Sequence, residues 1–329
     1  MYMLPQDWLE IIRKEYLRDF IRCGGASVKF VVATDEICHN QVRESLHNTS
    51  EEQGFFFALV DAVSTKIHMI DKLFHEVARQ VDWDGLAYSF VKQIFIENGY
   101  ELPPDRANFN LGEIALLNRR EERFLRKEWQ SWLEQKIFRD YEMSQEFRIA
   151  MMKLCIAQLD AGSASPFLSN AIREWLRGEL RLIGALKEAP IFQKVVRHNA
   201  RHLLLSLAHW LRVNGKSGFV LTLDISRYAE ATRSRDPDDG FYYSKPATFD
   251  AYEVLRQFID GTDELESCLI VVIVPRDLLT DSRRGVKWYQ ALNFRIWDEV
   301  RDRNRQNPFS SLIRLSSEQQ TQDSIAKRV

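Results

Sequence analysis

Cysteine is scarce, with four in 329 residues at positions 23, 38, 155 and 268 and no C-x-x-C pair among them. That spacing supplies neither a disulfide framework nor a zinc ribbon, and a reducing cytoplasm is the compartment expected. No apolar stretch approaches the roughly 18 to 20 residues that a membrane span needs. The opening MYMLPQDWLEIIRKEYL interrupts its apolar positions with charges, so it reads as a folded helix rather than a secretory signal. An excess of one charge is also missing. The formal net charge of −2 gives no global pull toward nucleic acid, and DNA contact would have to come from a local patch. There is no G-x-G-x-x-G fingerprint and no G-x-S-x-G elbow.

The composition that remains, 45% hydrophobic and 28% charged, is that of an ordinary folded protein, long enough for one large domain or two small ones. Leu9, Ile12, Tyr16 and Phe20 share one face of an opening helix, which the Gly24-Gly25 pair should stop. SVKFVV (27–32) and FFFALV (55–60) have the β-branched and aromatic content of buried strands. A short helix is expected between them at 42–47. Strand, loop, helix and strand in that order make a βαβ unit and predict a parallel sheet.

Residues 66–98 read as helical. After Pro103-Pro104, Leu125, Trp129, Trp132, Leu133 and Ile137 form an apolar stripe on a charged helix, which is core packing rather than a cofactor site. Helices are expected at 144–158, 167–186 and 189–213. The sheet should then resume with FVLTL (219–223) ending in Asp224 and LIVVIV (269–274) ending at Pro275, joined by a helix over 248–260. The expected architecture is α/β: one domain over 1–315, a helical insertion at about 103–213, an exposed polar loop at 231–246 and a polar tail from Ser316. An apolar strand that ends in aspartate downstream of a strand-loop-helix unit is where P-loop ATPases hold Mg²⁺, which makes Asp224 the candidate metal ligand if nucleotide binds.

Several longer segments carry a resemblance. GGASVKFVV (24–32), EWLRGELRLIGALKEAPIFQKVVRHNARHLLLSLAHWLR (174–212), GFVLTLD (218–224), FDAYEVLRQFIDGTDELE (249–266) and GVKWYQALNFRIWDEVRDRNRQNPFSSLIRL (285–315) resemble the ATP-binding family of BREX phage-defence systems, over most of residues 10–315. The likeness implies a P-loop NTPase-like parallel sheet flanked by helices. It also implies G-x-x-G-x-G-K-[ST] after the first strand, where glycines expose backbone N–H groups to phosphate, lysine neutralises charge and the hydroxyl binds Mg²⁺.

At the matching positions the chain reads Ala33-Thr34-Asp35-Glu36-Ile37-Cys38-His39-Asn40. No glycine remains, His39 stands in the lysine's place, and Asn40 replaces the hydroxyl. Asp35 and Glu36 add negative charge where a polyanion would sit, and one like-charge pair 4 Å apart costs on the order of 4 kcal/mol at an effective dielectric near 20. Ala33, Glu36, Cys38, His39, Asn40 and Asp224 are thus the candidate, degenerate nucleotide site. Ile225 follows Asp224 where hydrolysing members often carry Glu.

The reading is a catalytically silent, ATPase-like subunit working through protein contacts in a defence complex beside an active relative, with no cofactor expected. Two alternatives stay open. One is an active Mg-ATP enzyme that draws phosphate contacts from Lys29, Arg197 or a partner's arginine. The other is a DNA-binding module acting through 283–305, where Arg283, Arg284, Lys287, Arg295, Arg301, Arg303 and Arg305 outweigh Asp298, Glu299 and Asp302 along an expected amphipathic helix. Arg197 and Arg201 are candidates for a nucleotide or a neighbouring subunit. His198 and His202 resemble half a zinc site, but Asn199 stands where H-E-x-x-H needs its glutamate.

Overall fold

A computed structural model describes residues 2–159, 166–227, 241–297 and 307–317. Most of the expected polar loop, Arg301, Arg303 and Arg305, and the tail beyond Ser317 lie outside the described residues. The chain divides into two compact units, Met1–Leu73 with Lys216–Val329, and Phe74–Gly215.

In chain order, α1 (Pro5–Ile11) runs into π-helical turns over Ile12–Ile21 and leads to β1 (Ala26–Ala33), α2 (Glu36–Glu52) and β2 (Phe56–Asp61). Helices α3 (Ile70–Arg79), α4 (Trp83–Glu97), α5 (Leu111–Leu117), α6 (Glu122–Leu133), α7 (Gln145–Leu159), α8 (Pro166–Arg177) and α9 (Arg197–Val213) follow. The chain then forms β3 (Phe219–Asp224), α10 (Lys245–Asp260), β4 (Cys268–Val274), α11 (Gln290–Ile296) and β5 (Leu312–Leu315).

The five strands form one all-parallel sheet in the order β2-β3-β4-β1-β5. Every residue of β3 and β4 is buried, as their unbroken apolar runs require of strands covered on both faces. Alternate residues of the sheet, among them Val31, Val220, Val271 and Ile313, join Trp8, Ile12, Cys38, Val42 and Leu46 in one core layer. Cys38, Val42, Leu46 and Ser50 recur every four residues and make the buried face of α2. Burying a side chain such as Leu46 contributes roughly 1.5–3 kcal/mol.

The β1-α2-β2 crossover runs one way across the sheet and β3-α10-β4 runs the other. Because such crossovers are right-handed, α2 and α10 cover opposite faces. The loops leaving β1 and β3 therefore diverge at the carboxyl edge and open a crevice above the end of β4, the place where open α/β sheets bind ligands.

Among its described residues the second unit contains helices joined by turns and loops and no strand. Its core holds Trp83 against Phe147, Phe90 against Trp210, and Phe95 stacked on Trp129 at 5.5 Å. Leu125, Trp129, Leu133 and Ile137 are buried as their spacing predicts, and Trp132, half-buried, meets Phe95 edge-on.

Several expected boundaries move. The helix expected over 66–98 is two helices, separated where Asp82 caps α4 through Gly85 N–H at 2.9 Å. The helix expected from 189 starts at Arg197: Val196 is extended, and its N–H donates to Asn199 Oδ1 at 2.8 Å. The short helix expected at 42–47 runs from Glu36 to Glu52 because Asp35 caps it early. The segment from 283 is not one helix in its described part, since a 3-10 turn at Val286–Trp288 precedes the seven-residue α11. Strand β5 was not expected at all.

Candidate functional site

Only Thr34 and Asp35 separate the end of β1 from the start of α2. The Asp35 carboxylate turns back onto the helix, where Oδ1 accepts Cys38 N–H at 2.8 Å. Its backbone carbonyl accepts His39 N–H at 3.0 Å. Thr34 Oγ1 donates to Asp35 Oδ2 at 2.9 Å, and the hydroxyl and N–H of Ser317 also donate to this carboxylate. Burial pushes the Asp35 carboxyl up, but these donors together outweigh it, and the net shift is downward. The Cys38 N–H in the first turn of α2 thus points at a carboxylate of the same chain. Leu315 O accepts Thr34 N–H at 3.1 Å, so the end of β5 lies along the β1-α2 turn.

Positions 36–40 form the first helical turn of α2. Ala33, Glu36, His39 and Asn40 line an open cleft of about 680 Å³ above the end of β4, together with Arg43, Ser226, Arg227, Arg276 and Asp277. Cys38 does not: its side chain is fully buried in the core layer, and burial pushes the thiol up to about 11.

Asp224 is 2% exposed and both its oxygens are engaged. His39 Nε2 donates to Oδ2 at 2.7 Å and Arg43 Nη1 donates to the same oxygen at 3.2 Å. Ser226 donates to Oδ1 through its hydroxyl at 2.6 Å and its N–H at 3.0 Å. Burial raises the Asp224 carboxyl, yet the bonds from His39 and Ser226 outweigh it and leave it below the usual range. The same bond from Asp224 raises the His39 imidazole against the opposing effect of its burial. The two carboxylates that end β2 and β3 are register partners, Asp61 and Asp224. Arg43 reaches Asp61 at 3.8 Å, as does Arg227.

Ser226, His39 and Asp224 have the composition of a hydrolase triad without its wiring. Ser226 Oγ and Asp224 Oδ2 both approach the same ring nitrogen, at 3.2 and 2.7 Å, and the serine proton goes to the aspartate. A triad needs the acid on one nitrogen and the nucleophile on the other.

The remaining candidates lie elsewhere. Lys29 is 4% exposed in the middle of β1, where its Nζ donates to Phe309 O at 2.7 Å and Ser310 O at 3.2 Å and sits 4.5 Å from the Tyr16 ring centroid. It does not line the cleft. Arg295 is tied to Asp260 through two nitrogens and to Ala291 O at 2.6 Å. Arg197 and Arg201 lie on α9 in the helical unit, Arg197 exposed and Arg201 half-buried, and His198 and His202 are exposed there. Among the described residues no group of three or more His, Cys, Asp or Glu is placed to hold a metal ion, and no helix is long and apolar enough to cross a membrane.

Sequence reasoning missed Arg43, Asp61, Ser226 and Arg227. The signal for Arg43 was present, since it lies one helical turn beyond His39 on the same face of α2. Asp61 follows directly on the FFFALV run, and no sequence pattern shows that this strand end adjoins Asp224.

No curated protein and no solved structure matches the chain. The sequence model of one family matches residues 117–327, a span that contains Asp224, α10, β4 and β5 and leaves out β1 and the turn that follows it. With an all-parallel sheet flanked by helices, a P-loop NTPase-like arrangement, and with most of its length inside that match, the chain belongs to the family described as BREX system ATP-binding protein BrxC/D.

Proposed function

We propose that the protein is an ATPase-like subunit of a BREX phage-defence system that acts through contacts with other proteins of that system and does not hydrolyse ATP. Family membership supports the placement in such a system. The observation that carries the silent reading is the Asp35 carboxylate at the N-terminus of α2, hydrogen-bonded to Cys38 N–H where an ATPase of this fold presents N–H groups to phosphate.

Two further features support it. The turn between β1 and α2 has no glycine and is too short to wrap a phosphate, because the first helical turn already occupies positions 36–40. Asp224 meets His39, Arg43 and Ser226 where it would have to meet Mg²⁺, and an ion there would displace two basic groups. These residues do not fit a Mg-nucleotide, so no hydrolytic step is derived for them. With Ile225 next in sequence, the position that would orient an attacking water carries a hydrocarbon.

The test is calorimetric titration of the purified protein with Mg-ATP and a non-hydrolysable analogue, with turnover measured alongside. The expected result is no heat of binding up to millimolar nucleotide and no phosphate release. ATP turnover that disappears in Asp224→Ala would overturn the proposal.

A further inference from the structure

We infer that the surface around Trp288, formed by the start of α10 and the 3-10 turn before α11, is a stacking platform for single-stranded nucleic acid. This goes beyond the ATPase-like reading and does not depend on it.

Trp288 is 56% exposed and Tyr242 39% exposed, well above what a core role would leave in water. Trp288 has two cations beside it and Tyr242 one. Lys245 Nζ lies 5.8 Å from the centroid of Trp288 and 5.5 Å from that of Phe249, so one ammonium bridges two rings. Lys287 Nζ stands 5.9 Å from Trp288 as well. The Arg284 guanidinium is 5.5 Å from the Tyr242 ring and donates to its hydroxyl at 3.2 Å.

Among the described residues no carboxylate lies within ion-pairing distance of Lys245, Arg284 or Lys287. The nearby Asp281 carboxylate accepts the N–H groups of Arg283 and Arg284, at 2.6 and 3.0 Å, and these bonds, helped by the more distant charges of Arg284 and Lys287, hold it below the usual range. The rings are held in place: Trp288 Nε1 donates to Ser282 O at 2.8 Å, and Tyr252 fixes Arg284 by donating to its carbonyl at 2.8 Å.

Exposed rings interleaved with cations that form no ion pair among the described residues match a strand whose bases offer π-faces and whose phosphates offer charge. An apolar peptide would leave the three cations unanswered, and a duplex hides the base faces that the rings would stack on. Single-stranded nucleic acid satisfies both halves of the surface.

The test uses the full chain and fluorescein-labelled oligothymidylate, read by anisotropy from roughly 50 to 200 mM salt, with a duplex of equal length alongside. The expected result is saturable binding to the single strand in preference to the duplex. Trp288→Ala should weaken it by about tenfold, and Trp288→Phe should recover most of that loss because the π-face returns. Lys245→Gln and Lys287→Gln should each lower the salt slope by about 0.7. Phe124→Ala, which removes another exposed ring that has Arg123 beside it at 4.8 Å, should bind as the parent does. Thermal melts of the variants separate lost binding from lost folding. Absence of single-strand binding, preference for duplex, or equal weakening by Phe124→Ala would overturn the inference.

Discussion

His39 Nε2 and Asp224 Oδ2 meet at 2.7 Å across 185 positions of sequence, and the contact joins the first turn of α2 to the end of β3. Each partner is shifted toward its charged form, the imidazole upward and the carboxyl downward. Under the proposed function, the pair occupies the positions that would otherwise meet phosphate and Mg²⁺.

That contact predicts a measurable coupling. His39→Ala and Asp224→Asn should each destabilise the fold, and a double-mutant cycle by urea denaturation should return a coupling of about 0.5–3 kcal/mol. A coupling of zero would mean that Arg43 and Ser226 alone satisfy Asp224.

The cap at Asp35 predicts a contrast between two substitutions. Asp35→Ala should cost about 1 kcal/mol by removing the acceptor for Cys38 N–H, whereas Asp35→Asn should retain most of the stability because asparagine caps equally well. Chemical denaturation of both variants checks this, and equal losses would show that the negative charge, not the cap, is what matters.

Lys29 predicts a pH dependence with a definite sign. Burial lowers its ammonium to about 8, below the unfolded value near 10.4. Below pH 8 the lysine is charged in both states and adds no slope. Between the two values the unfolded chain binds more protons than the folded chain, so stability rises with pH on this group's account. The stability difference between the parent protein and Lys29→Met should therefore grow in the parent's favour from pH 8 to 10. A difference that stays flat across that range would contradict it.

Gly218 enters β3 with φ +150, and a Cβ there would stand 2.2 Å from the carbonyl oxygen of Ser267. That oxygen also accepts Phe219 N–H at 2.9 Å, so it cannot retreat freely. Gly218→Ala should cost more than about 2 kcal/mol, read as a lowered melting temperature or loss of soluble protein.

Much of the fold is legible in the sequence because buried parallel strands announce themselves: FVLTL and LIVVIV admit no other comfortable environment. The helix stop at Gly24 and the stripe from Leu125 to Ile137 are equally local signals. Strand β5 was hidden because LIRL is short and borders a polar tail, and only its pairing with Phe30 to Ala33 makes it a strand. The site was half legible. The absence of glycine and lysine from positions 33–40 is visible in the text of the sequence, but the inward turn of Asp35, the contacts of Arg43 and Ser226 with Asp224 and the placement of Asp61 beside it are not, and the last depends on register between strands far apart in the chain.

The pairing of β1 has a consequence for how the chain is made. Both neighbours of β1 come from the end of the sequence, Ala26 beside Cys268 and Phe30 beside Leu312, while only β2 is synthesised soon after it. As the chain leaves the ribosome, β1 is therefore a largely apolar strand with both edges open until β4 has emerged and one edge open until β5 follows. Such late, non-local closure is slow and leaves the strand edges open to self-association in the meantime.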